Sequence, residues 1–409
     1  MNLNEITRDD FLSYSRRCRY NGFISDFYED MAKENPVPLY FAETEKLNCE
    51  LKYEPDPSLM ARAKSVKECG RTWMFDMYPK ARVKNLIHVN RCRDRFCFNC
   101  QALAADQRFV QYSPILDKYT ATNDIYHVVL TVPNVSASRL ADTITLMLDR
   151  FSYMIRYFDG RKRVRNLDFG RYGYVAAVRS LEITVSKRNG SYHPHLHSMF
   201  ILKKGLDFPN VYWNRFSVDK NGRNADRLFS ELDLLFQRLW CLLIMRKEVT
   251  KRNIEHIEEV LPQYPDGFSC IADLSNGAYH EIFKYAIKGT YKEETLFTKD
   301  AFRTMYGALF GRRVYESYGE LRRYDFNNYD KDFGLSSPDE LFELYIARLQ
   351  CEELPVRVEE QLSEILQLKY TDGIKQFKYV SRASVVRRFR DLTEEEKREK
   401  LESLRKILQ

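Results

Sequence analysis

Between residues 124 and 290 apolar and polar positions alternate regularly enough to predict one element after another. Tyr126-His-Val-Val-Leu-Thr-Val132 is β-branched and apolar and stops at Pro133-Asn134, which predicts a strand. Ser136 or Ser138 can cap a helix reaching about Tyr157, because Leu140, Ile144, Met147, Leu148, Phe151 and Ile155 recur at helical spacing. Tyr172 to Ser186 and Tyr192 to Leu202 predict two long strands joined by a hairpin turn at Asn189-Gly190. Ala225 to Lys247 predicts a long amphipathic helix with Leu228, Leu232, Leu235, Phe236, Leu239, Trp240 and Leu243 on its apolar side. Gly267 to Leu274 predicts a further strand, and Asn276 to Lys288 a helix closed by Gly289. The order is β-α-β-β-α-β and then a helix. This is the split βαβ plan of an α+β protein, a mostly antiparallel sheet with helices on one face.

The flanks read differently. Residues 1–60 are an N-terminal extension with loose organisation, where Glu34-Asn-Pro-Val-Pro-Leu and Glu54-Pro-Asp-Pro-Ser predict turns or linker. Residues 61–120 are rich in cysteine and arginine, and residues 121–325 hold the sheet-and-helix domain. Residues 326–409 form a helical region, with helices from Pro338 to Leu368 and from Thr393 to Leu408, the second opened by a Thr393–Glu396 capping box. Helix packing, dimerisation and DNA contact all fit that last region.

Composition narrows the classes. At ~100–200 residues per domain, 409 residues allow two or three domains. With 44% hydrophobic and 30% charged residues the chain is globular, which excludes collagen-like and acidic disordered classes. The net charge of +7 permits a nucleic-acid partner without requiring one. Leu239 to Met245, the longest apolar run in the most hydrophobic helix, falls far short of the ~20 residues of a membrane span. The N-terminus lacks a basic-then-apolar signal pattern, and the nine cysteines are an odd, uneven set. A cytoplasmic protein with reduced, buried or metal-bound cysteines is expected, with no membrane partner.

Candidate chemistry begins with Tyr192-His-Pro-His-Leu-His-Ser198. In a strand, residues i, i+2 and i+4 point the same way, so His193, His195 and His197 share a face. Three of the chain's seven histidines fall in this run. With Asn189-Gly190 as a two-residue turn, Thr184 faces His195 and Glu182 faces His197, ~4.5–5.5 Å apart at Cβ. His195, His197 and Glu182 then form a facial set that leaves positions open on a divalent ion such as Mg²⁺ or Mn²⁺. The alternative is a row of surface histidines on an edge strand. His193 reads as an outer group or a phosphate contact.

On the helix after the last strand, Glu281 and Tyr285 are i and i+4, and Lys288 joins the same stripe. A carboxylate, a phenol and an ammonium suit phosphoryl transfer, although a solvated helix carries such a stripe equally well. Cys92-x4-Cys97-x2-Cys100 has metal-like spacing, and Cys69, followed by Gly70, can supply a fourth thiolate for Zn²⁺. Arg91, Arg93 and Arg95 interleave with this cluster and suit phosphate contact, against a plain solvated face.

Three motifs now stand in order: Val129-Leu-Thr-Val-Pro-Asn134, His193-Pro-His-Leu-His197 and Glu281-Ile-Phe-Lys-Tyr-Ala-Ile-Lys288. Together they resemble the HUH endonucleases, in which two histidines flank a bulky apolar residue. Among these they are similar to the rolling-circle replication initiators of plasmids from Gram-positive bacteria. Leu309 to Gly319 is similar to the end of that domain, so the resemblance covers about residues 60 to 325. It implies an HUH-endonuclease/RRM-like antiparallel sheet and a metal held by His195, His197 and Glu182. Tyr285 would be the nicking nucleophile, and Glu281 would activate water to end a round. It also implies single-stranded origin DNA as substrate, with host helicase and polymerase as partners. A relaxase, a transposase and a non-catalytic zinc-stabilised nucleic-acid-binding protein are the rival readings.

Overall fold

The computed structural model describes residues 8–38, 53–78, 83–186, 188–215, 226–263, 270–274, 280–283, 297–324, 326, 364–371 and 376–384. The first elements are α1 (Arg8–Glu34), β1 (Val37–Pro38), β2 (Tyr53–Glu54), α2 (Pro57–Glu68), β3 (Thr72–Tyr78), β4 (Val83–Val89) and α3 (Phe98–Thr120). Next come β5 (Asn123–Thr131), α4 (Ala137–Phe158), β6 (Ala176–Val185), β7 (Tyr192–Lys203), β8 (Asn210–Arg215), β9 (Asp226–Ser230) and α5 (Glu231–Ile244). The last are α6 (Lys251–Glu255), α7 (Ile257–Val260), β10 (Cys270–Leu274), α8 (His280–Phe283), α9 (Lys299–Leu309), β11 (Tyr315–Gly319), β12 (Glu364–Thr371) and β13 (Gln376–Ser384). The chain divides into two compact units, residues 1–104 with 330–409, and residues 105–329. No helix among the described residues is long and apolar enough to cross a membrane.

In the first unit α1 packs against α2, and an antiparallel sheet runs β13-β12-β3-β4. Asp56 starts α2 by accepting the N–H groups of Ser58 at 2.8 Å and Leu59 at 3.3 Å, with Pro57 at the first helical position. Two expectations are corrected here. Residues 1–60 are not loosely organised throughout, since 27 of them form α1. Its buried stripe is Tyr20, Ile24, Tyr28 and Ala32, spaced by four, and its tyrosines and alanine give only a weak apolar signal. The C-terminal region is not helical where it is described: Glu364–Thr371 and Gln376–Ser384 are strands, and β12 pairs with both β13 and β3. Leu366, Leu368 and Tyr370 alternate with Gln367, Lys369 and Thr371, the period of a strand. Residues 338–363 and 393–408 lie outside the described residues.

In the second unit the antiparallel sheet runs β10-β5-β7-β6-β11, built on the expected β-α-β-β-α-β order. Phe200 of β7 sits among Phe151 and Phe158 of α4 and Phe236 of α5, with ring centroids 4.7 to 5.9 Å away. Trp240 of α5 donates its indole N–H to the carbonyl of Thr131 at 2.8 Å. The predicted helix from Ala225 is shorter than expected, because 226–230 is β9, paired with β8. A reciprocal cap then starts α5: Asp233 N–H donates to Ser230 Oγ at 3.1 Å and Ser230 N–H to Asp233 Oδ2 at 2.9 Å.

β11 extends the sheet beyond the predicted strands. Buried Arg179 of β6 pairs with Glu316 of β11, and Gly319 ends the strand at φ +62, where a Cβ would run into the Val175 carbonyl. Tyr315 pairs with Ser180, which pairs with His197, so all three share a face. Arg108 of α3 lies over the Tyr315 ring at 4.2 Å. The expected single layer of helices is therefore corrected: α4 and α5 cover one face of the sheet, and α3 reaches the other.

Candidate metal centres

The hairpin between β6 and β7 closes with Ser186 N–H donating to the Ser191 carbonyl at 2.8 Å. Asn189 uses its side-chain oxygen to accept the Ser191 N–H at 3.1 Å, so the turn is longer than Asn189-Gly190. The register consequently reads Thr184↔His193, Glu182↔His195 and Ser180↔His197. This corrects the expected pairs by two residues along β6. A shift of two leaves every side chain on its face, whereas a shift of one would have turned Glu182 away.

Glu182, His195 and His197 are all buried, at 2%, 8% and 7% exposure. Glu182 Oε2 lies 3.0 Å from His197 Nε2, and Oε1 lies 3.4 Å from His195 Nε2. One donor atom from each residue falls within 4.8 Å of the others. A carboxylate taken this far from water is costly unless it is paired or holds a cation, and two imidazoles with one carboxylate are a donor set for a divalent ion. The residues thus fit the group expected of them.

His195 Nδ1 is 3.2 Å from the His193 carbonyl. His193 itself turns its Nδ1 to Asn134 Oδ1 at 2.8 Å, and burial, with the neighbouring His195, pulls its pKa below the ordinary value. His127 on β5, outside every motif of the sequence, joins this face. Its ring lies edge to edge with that of His197, centroids 5.4 Å apart and planes at 6°, with Nε2 3.2 Å from His197 Nδ1. The signal available was a histidine in the first strand at the parity that faces the histidine row. Tyr285 and Lys288 lie outside the described residues, as does the Glu281 side chain. The backbone turn α8, which carries Glu281, runs beside β6 and β7, with Phe283 stacked on Tyr112 at 6.1 Å.

The second centre lies in the other unit. The sulfurs of Cys69, Cys92, Cys97 and Cys100 fall within 4.8 Å of one another. Cys69 caps α2, and Gly70 follows at φ +75, where a Cβ would meet Asn99 Nδ2 at 2.9 Å. Backbone N–H groups point at the sulfurs: Cys92 to Cys69 at 3.4 Å, Arg93 to Cys100 at 3.3 Å and Asp94 to Cys92 at 3.4 Å. Hydrogen bonds from Cys69, Cys92 and Cys97 hold Cys100 well below the ordinary thiol range. Four converging sulfurs fed by backbone donors suit a tetrahedral cation.

α1, which no cysteine spacing points to, completes this centre. Asn21 donates to Cys97 Sγ at 3.2 Å and accepts the Phe98 N–H at 2.8 Å. Tyr28 donates to Asp94 at 3.1 Å, and Arg62 lies 3.6 Å from that carboxylate. Arg91, Arg93 and Arg95 are exposed and alternate with the inward Cys92 and Asp94.

Fold and centres together define an α+β protein with two clusters able to hold metal, one of cysteines and one of histidines with a glutamate. The profile of a family described as "Replication protein" matches residues 83–213, a stretch that contains His127, Glu182, His195 and His197. "Protein rep" of Staphylococcus aureus is 27% identical over 150 residues, covering 36% of this chain and 61% of that protein. "Protein rep" of Streptococcus pneumoniae serotype 2 is 27% identical over 161 residues, covering 39% and 47%. "Protein rep" of Lactiplantibacillus plantarum is 25% identical over 232 residues, covering 56% and 62%. The matches thus span about half to three fifths of these relatives. No solved structure matches the chain. The resemblance to replication proteins of Gram-positive bacteria, first seen in the motifs, is found again by these comparisons.

Proposed function

We propose that the chain is a rolling-circle replication initiator, a metal-dependent HUH nuclease and strand transferase acting on single-stranded origin DNA of a plasmid-type element. The observation that carries the reading is the buried convergence of Glu182, His195 and His197 on one face of the sheet. A Mn²⁺ or Mg²⁺ ion held by these three would supply Lewis-acid polarisation of the scissile phosphate.

The Tyr285 oxygen attacks phosphorus and the phenol proton leaves. The P–O3′ bond breaks, the 3′-oxygen takes a proton, and a 5′-phosphotyrosine remains. Lys288, three residues on, offsets charge on the phosphoryl oxygens. In a second step Glu281 takes the proton of a water or of an incoming 3′-hydroxyl as the P–O bond to Tyr285 breaks. The four cysteines hold a structural Zn²⁺, and Arg91, Arg93 and Arg95 contact the DNA backbone. A host polymerase extends the released 3′ end while a host helicase unwinds the duplex, and the protein works in the cytoplasm.

The test incubates the full chain with single-stranded origin DNA and Mn²⁺ and resolves the products on a denaturing gel. A covalent protein–DNA band is expected from the wild type and is lost in Tyr285→Phe while DNA binding persists. DNA binding with no band in the wild type would overturn the nuclease reading in favour of a zinc-stabilised binding protein.

A further inference from the structure

We infer that His127 is a positioning residue that fixes the tautomer and ring orientation of His197 for the cation; the inference rests on the reading of His195, His197 and Glu182 as its ligands. β5 pairs with β7 so that Val129 faces His197 and Met199 faces His127. His127 therefore lies on the histidine face, one diagonal step from His197. The two rings are nearly parallel, at 6°, and His127 Nε2 stands 3.2 Å from His197 Nδ1.

A neutral imidazole has one N–H and one lone pair. His197 turns Nε2 into the convergence with Glu182, at 3.0 Å, and His195, so a cation held there displaces the Nε2 proton and meets its lone pair. The ring proton then sits on Nδ1 and needs an acceptor, and His127 Nε2 occupies that place. His195 solves the same problem differently, because its Nδ1 faces the backbone carbonyl of His193 at 3.2 Å. One ligand is thus oriented by backbone, which no substitution removes, and the other by a side chain that can be deleted. His127 meets the far nitrogen of His197, outside the set of three donors that converge. It acts through His197.

The experiment measures Mn²⁺ binding to the full chain by titration calorimetry and the ¹⁵N spectrum of the histidine rings in the chain loaded with diamagnetic Mg²⁺. His127→Phe keeps a flat ring and removes the acceptor, while His127→Gln restores an acceptor oxygen. A loss of ~10–100-fold in Mn²⁺ affinity is expected for His127→Phe, the usual effect of an outer partner of a metal ligand. His127→Gln should recover most of it. With Mg²⁺ bound, the His197 ring should show one sharp Nδ1–H signal in the wild type and in His127→Gln, and a broadened one exchanging with water in His127→Phe. If His127→Phe binds Mn²⁺ as tightly as the wild type, or Phe and Gln lose affinity and the sharp signal equally, the inference is overturned while the centre stands. If the wild type binds no Mn²⁺ that His195→Ala with His197→Ala abolishes, the reading of the centre itself fails. Should His127→Phe unfold, the His127→Gln affinity and spectrum decide alone.

Discussion

Glu182 stands across the ladder from His195, yet its carboxylate approaches His197 more closely, 3.0 Å against 3.4 Å. The side chain leans along the strand and spans both imidazoles, so one carboxylate serves two rings.

Glu182→Gln keeps the shape and removes the charge. The wild type should gain thermal stability with Mn²⁺, about 2.7 kcal/mol at a concentration 100-fold above its Kd, and the variant should gain little. Melting curves with and without Mn²⁺ read this directly. An equal Mn²⁺ shift in both proteins would remove Glu182 from the ligand set.

The cysteine centre should release its metal when one sulfur is lost. Cys97→Ser, and more mildly Asn21→Leu, should lower the zinc retained after dialysis against a chelator, measured by atomic absorption. Asn21 acts through its bond to Cys97 Sγ at 3.2 Å, and a hydrogen bond to a charged sulfur contributes ~1.5–3 kcal/mol. Full zinc retention in Cys97→Ser would exclude this thiol as a ligand.

Phe200 lies fully buried among Phe151, Phe158 and Phe236. Phe200→Ala should cost ~3–5 kcal/mol, because the helices of that face cannot close over the space left behind. Denaturant unfolding should show a lowered midpoint. A loss below about 1 kcal/mol would mean the layer repacks.

Burial pushes the Cys241 thiol up to about 12. The folded chain should resist iodoacetamide at this position at pH 8.5 and react only on unfolding, as peptide mapping by mass spectrometry would show. The sign of the stability effect follows. Above the ordinary thiol pKa the unfolded state loses this proton while the folded state keeps it, so the contribution of Cys241 to stability falls as pH rises. Rapid alkylation in the native chain would contradict the burial.

Much of the second unit was legible along the chain. The strand at Val128 and Leu130 and the helix carrying Leu140, Ile144 and Phe151 announce themselves through spacing within a few residues, and so does the alternation of His193, His195 and His197. The Cys92, Cys97 and Cys100 spacing is equally local. α1 escaped because its buried stripe is made of Tyr20, Tyr28 and Ala32 with Ile24, and its role appears only where Asn21 meets Cys97, 76 positions away. β12 escaped because a strand with half its residues polar is recognised by its partners, and the one that joins it to the sheet is β3, almost 300 residues earlier.

What the sequence determined by itself was which side chains share a face and in what order the elements follow, since periods of two and 3.6 residues are properties of the backbone. What only the tertiary structure decided was the register that sets Glu182 opposite His195, the meeting of His127 with the far nitrogen of His197, and the closing of four cysteines under α1. Those depend on the length of one turn and on strand pairings across long stretches of chain, which neighbouring residues do not encode.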